Sequence, residues 1–153
     1  MAKAFDYSLD YTTMNFRQWP ELYRIGKGEQ GVLLVELYKS EILPHWRFKT
    51  PVIARQSAAN IYRLFLAYKA NHDSVGMDMA CKFLQMGYAR ARRYANHASG
   101  RKYDAATGAL LPRQPDASKA AAAQAFYSYW QQVRSDSAYQ QGYRRHQQHY
   151  ERE

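Results

Sequence analysis

Residues 50–71 of the chain read TPVIARQSAANIYRLFLAYKAN. Thr50 places a capping hydroxyl before a proline in the first turn, which is how many helices begin. Apolar side chains then recur at steps of three and four residues, the spacing of one helix face. The residues of this face are Ala54, Ala58, Ile61, Phe65 and Tyr68. The stretch therefore predicts a helix that ends near Asn71.

Residues 73–97 read DSVGMDMACKFLQMGYARARRYANH and predict a second helix, with Asp73 as its cap. The apolar face of this helix consists of Met77, Cys81, Leu84, Tyr88, Ala91 and Ala95. Only a short turn separates it from the first helix, so we expect the two to form an antiparallel pair.

The flanking segments complete a predicted single domain of residues 1–153. Residues 1–49 are punctuated by proline and glycine and are predicted to be irregular. Within them, Val32–Leu43 fits either a short strand or a helix, which leaves one short strand pair open as an alternative. Pro44 ends that element in both cases. Residues 98–117 are predicted to form a loop.

Two further helices are predicted in residues 118–150. Ser118 can cap the first of them, which runs to Arg134 and contains an alanine run that favours helix. The second runs from near Asp136 to Tyr150, is polar, and either frays or docks across the bundle. The predicted fold class is therefore mainly α, a helical bundle of about four helices with an irregular N-terminal segment.

The composition is that of a globular domain, since the 153 residues are 46% hydrophobic. The single cysteine, Cys81, excludes an internal disulfide and is expected to be a buried thiol, because it lies within an apolar helical pattern. The start of the chain lacks the apolar run of a signal peptide, and no segment approaches the roughly 18 apolar residues of a membrane span. We therefore expect a soluble, cytoplasmic protein without membrane contact.

The excess positive charge is concentrated in the middle of the chain. The formal net charge is +9, and residues 42–103 contain eleven Lys and Arg but only two acids, Asp73 and Asp78. A localised block of this kind creates a field that attracts polyanions. The block therefore indicates a class of partner rather than a reaction.

Two clusters within the basic block suit contacts with nucleic acid, and the first lies on the second predicted helix. There Arg90, Arg93 and His97 share one side, with Lys82 and Arg92 flanking it. Guanidinium groups bind phosphate well because they offer paired donors. The alternatives are a solvated basic face, or a site for an anionic protein or a small phosphate.

The second cluster is the loop of residues 44–51, in which aromatic and basic side chains alternate. Trp46 can stack on a base while Arg47 and Lys49 hold phosphates. The alternative is that Trp46 and Phe48 plug the core from a connecting loop.

These clusters predict sequence-tolerant binding of nucleic acid, DNA before RNA, without a cofactor. The residues assigned to the interface are Trp46, Arg47, Lys49, Lys82, Arg90, Arg92, Arg93, His97, Arg101, Lys102 and Tyr103. Two other classes of function stay open. One is a DNA lesion glycosylase or lyase, and the other is a protein-interaction module whose tyrosine-rich helix faces form a homo-oligomer or dock an acidic partner.

Histidine spacing does not predict a metal site, because only His146 and His149 lie close together and no third ligand stands near them in the sequence. That pair is expected to be pH-sensitive or exposed to solvent. Catalysis by paired carboxylates requires two acids that converge in a cleft, and the sequence does not show which acids do so. The candidates are Glu21, Glu29, Glu36, Glu41, Asp73, Asp78 and Asp104.

Several stretches of the chain resemble a single family. They are PELYRIGKGEQGV (20–32), YKSEILPHWRFKTP (38–51), GMDMA (76–80), RARRYANH (90–97) and GRKYD (100–104). They are similar to a family of small uncharacterised proteins of bacteria and tailed phages, catalogued as domain of unknown function 4385, over roughly residues 5–145. The resemblance implies a single cytoplasmic domain and assigns no functional residues.

Other short motifs resemble the small helical pyrimidine-dimer glycosylases of phages. ELYR (21–24), FKTP (48–51) and FLQMGY (83–88) are similar to that family in order and spacing. Those enzymes use the N-terminal amine as nucleophile and a glutamate in a Glu-Leu-x-Arg stretch. The resemblance implies that Glu21 is that glutamate, that Arg24 is the matching arginine, and that Ala2 presents the amine.

Overall fold

The computed structural model describes residues 16–17, 20, 23, 35, 38–96, 104–109 and 117–151, with the side chains in these ranges except those at 94–96, 117–119 and 150–151. The described part is 79% helical and contains no strand, so the mainly α fold class is confirmed. None of the helices in this part is long and apolar enough to cross a membrane.

Five α-helices make up the described part of the chain. They are α1 (Tyr38–Ile42), α2 (Pro51–Ala70), α3 (Ser74–Asn96), α4 (Ala117–Arg134) and α5 (Ser137–His146). A 3₁₀ turn (Leu43–His45) follows α1, and a π-helical turn (Gln147–Glu151) follows α5. Within the ambiguous segment Val32–Leu43, residues 38–42 are therefore helical.

The starts of three helices follow from capping side chains. The Thr50 hydroxyl accepts a hydrogen bond from the backbone N–H of Ile53 at 3.2 Å, as predicted for α2. Asp73 Oδ1 accepts from the N–H of Gly76 at 3.0 Å at the start of α3, and Asp136 caps α5 in the same way. Helix α4 begins at Ala117, so Ser118 lies within its first turn and the prediction that Ser118 caps it was wrong.

The apolar face predicted for α2 is buried at all five positions. On α3 the predicted face was too narrow, because α1, α2, α4 and α5 all pack against this helix. The further buried residues of α3 include Val75, Met79, Ala80, Phe83 and Met86. Helix α3 is thus the central helix of the described bundle.

The contacts between α2 and α3 show that the two helices are antiparallel. Tyr68, near the end of α2, packs on Gly76 at the start of α3 so closely that a Cβ there would lie 2.5 Å from its ring. At the other end, Trp46 precedes α2 and packs on Phe83, with ring centroids 5.6 Å apart. The close approach of Tyr68 requires glycine at position 76, because a side chain there would clash with the ring.

A carboxylate lies in the core of the bundle. Asp78, on α3, is 3% exposed, and it accepts hydrogen bonds from the hydroxyls of Tyr23 and Tyr139, the latter at 2.7 Å. His146 Nε2 donates in turn to the carbonyl oxygen of Tyr23 at 2.6 Å. These bonds join the N-terminal segment, α3 and α5 through polar groups that burial would otherwise leave unsatisfied.

Replacing this carboxylate should destabilise the fold. We expect Asp78→Ala to lower the free energy of unfolding by about 2–3 kcal/mol, because two buried tyrosine hydroxyls lose their acceptor. Urea denaturation measures the effect. The matched control is Asp104→Ala, whose carboxylate accepts from backbone N–H groups in an exposed turn and should cost less. Equal losses in the two variants would show that the buried network does not stabilise the fold.

Candidate nucleic-acid interface

The outer edge of α3 carries part of the basic block. Lys82 is half-buried there, and Gln85, Ala89, Arg92 and Arg93 are exposed at helical spacing. The opposite side of the helix is buried, so these side chains point away from the core. Three of the predicted interface cations, Lys82, Arg92 and Arg93, thus lie on one open edge of α3.

Arg90 diverges from this edge, on which Arg92 lies. Since an α-helix has 3.6 residues per turn, the two side chains flank Arg93 on opposite sides. The Arg90 guanidinium lies over the Trp46 ring, 5.0 Å from its centroid. The predicted alignment of Arg90 with Arg93 therefore holds only in part, while His97 lies outside the described residues.

The stacking role predicted for Trp46 is wrong for this arrangement. Trp46 is 8% exposed, its indole N–H donates to the carbonyl oxygen of Phe83 at 3.1 Å, and its ring packs edge-to-face on Phe48 and Phe83. With Arg90 over the ring as well, no face is open to a base. Trp46 instead plugs the core, which was the alternative interpretation of the loop.

Arg47 and Lys49, the basic residues that follow Trp46, are exposed. The backbone N–H of Arg47 donates to Ser57 Oγ at 2.9 Å, and its guanidinium donates to the carbonyl oxygen of Trp46 at 3.0 Å. Lys49 follows two residues later. These contacts hold the loop on the start of α2, next to the Arg90 side of α3.

A groove of about 530 Å³ runs beside the α3 edge, between α3, α4 and α5. Its lining residues are Cys81, Lys82, Gln85, Trp130, Arg134, Tyr139, Gln140, Tyr143 and Arg144. Arg134 and Arg144 bring cations that the sequence analysis did not assign to the interface. The i, i+4 spacing of Trp130 and Arg134 was the available signal, and the Arg134 guanidinium does lie 4.8 Å from the Trp130 ring centroid.

Cys81 faces this groove only slightly. It is 5% exposed, and burial raises the pKa of its thiol to about 11. A thiol in that state is protonated at neutral pH and is a poor nucleophile. The prediction of a buried structural thiol is confirmed.

The acids of the described part are engaged elsewhere. Asp136 pairs with Lys69 at 2.7 Å, and Asp78 is buried among tyrosines. Glu41 and Asp73 both bind the Arg17 guanidinium, at 2.7 and 3.2 Å. Within the described residues, none of the cations on the α3 edge or in the groove has an ion-pair partner; they are Lys82, Arg92, Arg93, Arg134 and Arg144.

A second cleft, of about 810 Å³, lies on the other side of α5. It contains Arg17 with Glu41 and Asp73, so two of the seven candidate carboxylates do converge. Burial acts to raise the pKa of Glu41, but hydrogen bonds from Arg17 and Tyr68 outweigh it and hold that pKa below its usual range. A general acid needs the opposite shift, so Glu41 is not suited to that role. Glu41 and Asp73 instead anchor Arg17 through two ion pairs.

The histidine pair lies at the same cleft. His146 is buried against Tyr23, whereas His149 is exposed, so the two do not form a solvent-exposed pair. No cluster of three or more potential metal ligands occurs among the described residues.

Several predicted site residues lie outside the described residues. They are Glu21 and Arg24 of the glycosylase resemblance, and His97, Arg101, Lys102 and Tyr103 of the basic block. Their roles stay predictions.

Because the pKa of Glu41 is lowered in the folded chain, we expect its contribution to the stability of the fold to depend on pH. A carboxyl group whose pKa is lower in the folded than in the unfolded chain stabilises the fold at pH values above its unfolded pKa, which is near 4.5 for Glu41. That contribution is lost as the pH falls through the pKa of the folded state. Glu41→Gln should therefore be less stable than the wild type at neutral pH, with the gap closing in acid. Urea denaturation from about pH 7 to about pH 3 measures this. A gap that is constant with pH would contradict it.

Comparison with known proteins gives one match. A family model described as "Domain of unknown function (DUF4385)" matches residues 6–149. No curated protein and no solved structure matches the chain. The matched range spans nearly the whole sequence and includes every stretch that carries the family resemblance. The chain therefore belongs to the DUF4385 family.

Proposed function

We propose that this protein binds nucleic acid, DNA before RNA, through phosphate contacts along the α3 edge and the adjoining groove. The residues that would make these contacts, called the groove cations below, are Lys82, Arg92, Arg93, Arg134 and Arg144. The observation that carries the proposal is that the groove cations have no ion-pair partner among the described residues, while the described acids are used elsewhere.

The clustering of these cations has an energetic consequence. Like charges gathered on one surface repel one another, so the surface is destabilising when no counter-charge is present. A polyanion that follows the groove relieves this repulsion and releases its own condensed counterions. The groove is therefore better suited to a chain of phosphates than to a single anion.

Two guanidinium groups, one beside the α3 edge and one among the groove cations, are already held in place. Arg90 lies on the indole of Trp46, and Arg134 lies on that of Trp130, each about 5 Å from the ring centroid. A cation–π contact limits the rotamers of a long side chain. Less side-chain entropy is then lost when the guanidinium binds a phosphate.

Phosphate binding requires a steep dependence on salt. We expect the logarithm of the binding constant for DNA to fall linearly with the logarithm of the salt concentration, with a slope of about −0.9 per phosphate contacted. Fluorescence anisotropy with labelled DNA and RNA, between about 50 and 200 mM salt, measures the slope and compares the two nucleic acids. A flat salt dependence would remove the proposal.

Charge removal locates the interface. Arg92→Gln with Arg93→Gln should weaken binding for every DNA sequence and reduce the salt slope by about two. The matched control is Arg55→Gln with Arg63→Gln, which removes the same charge from exposed positions on α2, beside Tyr129 and away from the groove. Equal effects of the two double variants would show that net charge, not the groove, determines the affinity.

A further inference from the structure

An aromatic cluster borders the groove cations where α3 meets α4. The rings of Tyr88 and Trp130 are stacked, with centroids 5.8 Å apart and an interplanar angle of 28°. The Arg134 guanidinium lies over the same indole. Tyr127 packs on both rings, at 5.3 Å from Tyr88 and 6.1 Å from Trp130.

Tyr127 is the member of this cluster that reaches solvent. Its exposed fraction is 37%, whereas Tyr88 and Trp130 are half-buried. The ring is fixed by its aromatic neighbours, so a base that stacks on it would not have to order it first. The exposed Arg134 guanidinium, which lies over the indole, is itself a planar group of the kind on which unpaired bases stack.

Cations surround these two surfaces. Arg92 is one helical turn after Tyr88 on α3 and so lies on the side of α3 that faces the cluster. Lys82 and Arg144 line the groove next to Arg134. Aromatic faces beside a positively charged groove are the combination by which proteins bind single strands.

We infer that the groove takes single-stranded nucleic acid, with unpaired bases stacked on Tyr127 and on the Arg134 guanidinium. In a duplex the base faces are stacked on each other and only the phosphates are offered to this surface. A single strand can present phosphates and base faces together. This inference rests on the proposed function, because it names the form of nucleic acid that the same site prefers.

Substitutions that keep size or charge separate stacking from electrostatics. Tyr127→Leu keeps an apolar side chain at an exposed position but removes the π face. Arg134→Lys keeps the positive charge but removes the planar guanidinium. The matched controls are Tyr62→Leu, whose ring lies between α2 and α4 on Phe65 and Tyr129, and Arg63→Lys on the outer side of α2.

The experiment measures the affinity of the protein for one labelled DNA oligonucleotide, either single-stranded or annealed to its complement, at one salt concentration. We expect tighter binding to the single strand, and a loss of about fivefold or more for it in Tyr127→Leu, since one base stack is lost. Arg134→Lys should likewise weaken single-strand binding more than duplex binding. Both controls should leave the ratio of the two affinities unchanged, and circular dichroism melting confirms that each variant is folded.

The outcomes distinguish the two proposals. Equal affinity for the two forms, or equal losses for both forms in the Tyr127 and Arg134 variants, would overturn the single-strand inference and leave phosphate binding in place. Absence of binding to either form at low salt would instead overturn the proposed function. A stronger affinity for the duplex would also reject the stacking role of Tyr127.

Discussion

The fold depends on the carboxylate of Asp78, which lies in the core on the central helix. A buried carboxylate without partners is strongly unfavourable, so its position is tolerable only when hydroxyl groups reach it. These come from Tyr23 in the N-terminal segment and Tyr139 on α5. The need of Asp78 for hydrogen-bond donors therefore holds α5, which carries Tyr139, against α3. As a result, Tyr143 and Arg144 form one wall of the groove beside the α3 edge.

The same packing separates the charges of the molecule. Folding brings Glu41 and Asp73 onto Arg17 on one side of α5, and it pairs Asp136 with Lys69 between α2 and α5. The acids are thereby used in contacts that hold segments together. The groove on the other side of α5 retains its cations. A positive surface is thus a consequence of where the acids are needed, and not only of the high arginine content of α3.

The sequence predicts the helices better than it predicts the site. Thr50 and Asp73 mark two helix starts because a capping side chain acts on its own first turn, and the apolar spacing of α2 identifies its buried face. The groove depends on three helices that are distant in sequence, so a local pattern could pair Arg134 with Trp130 but could not place Arg134 or Arg144 in the groove. Trp46 was misassigned because an aromatic residue between basic ones looks the same in a stacking loop as in a core plug. What decides the case is the Phe83 carbonyl that accepts its N–H, a tertiary contact.

The chemistry of the groove also bears on specificity. Cations bind phosphates, and aromatic or guanidinium planes stack on any base, so neither distinguishes one sequence from another. Reading a base edge needs a donor and an acceptor side by side, as in a carboxamide. Gln140 already donates from its amide to the carbonyl oxygen of Arg134 at 2.7 Å. If the groove binds nucleic acid as proposed, Gln85, the other carboxamide of its lining, would be the one available to contact a base. A preference for particular bases would then arise there, while most of the affinity would not depend on sequence.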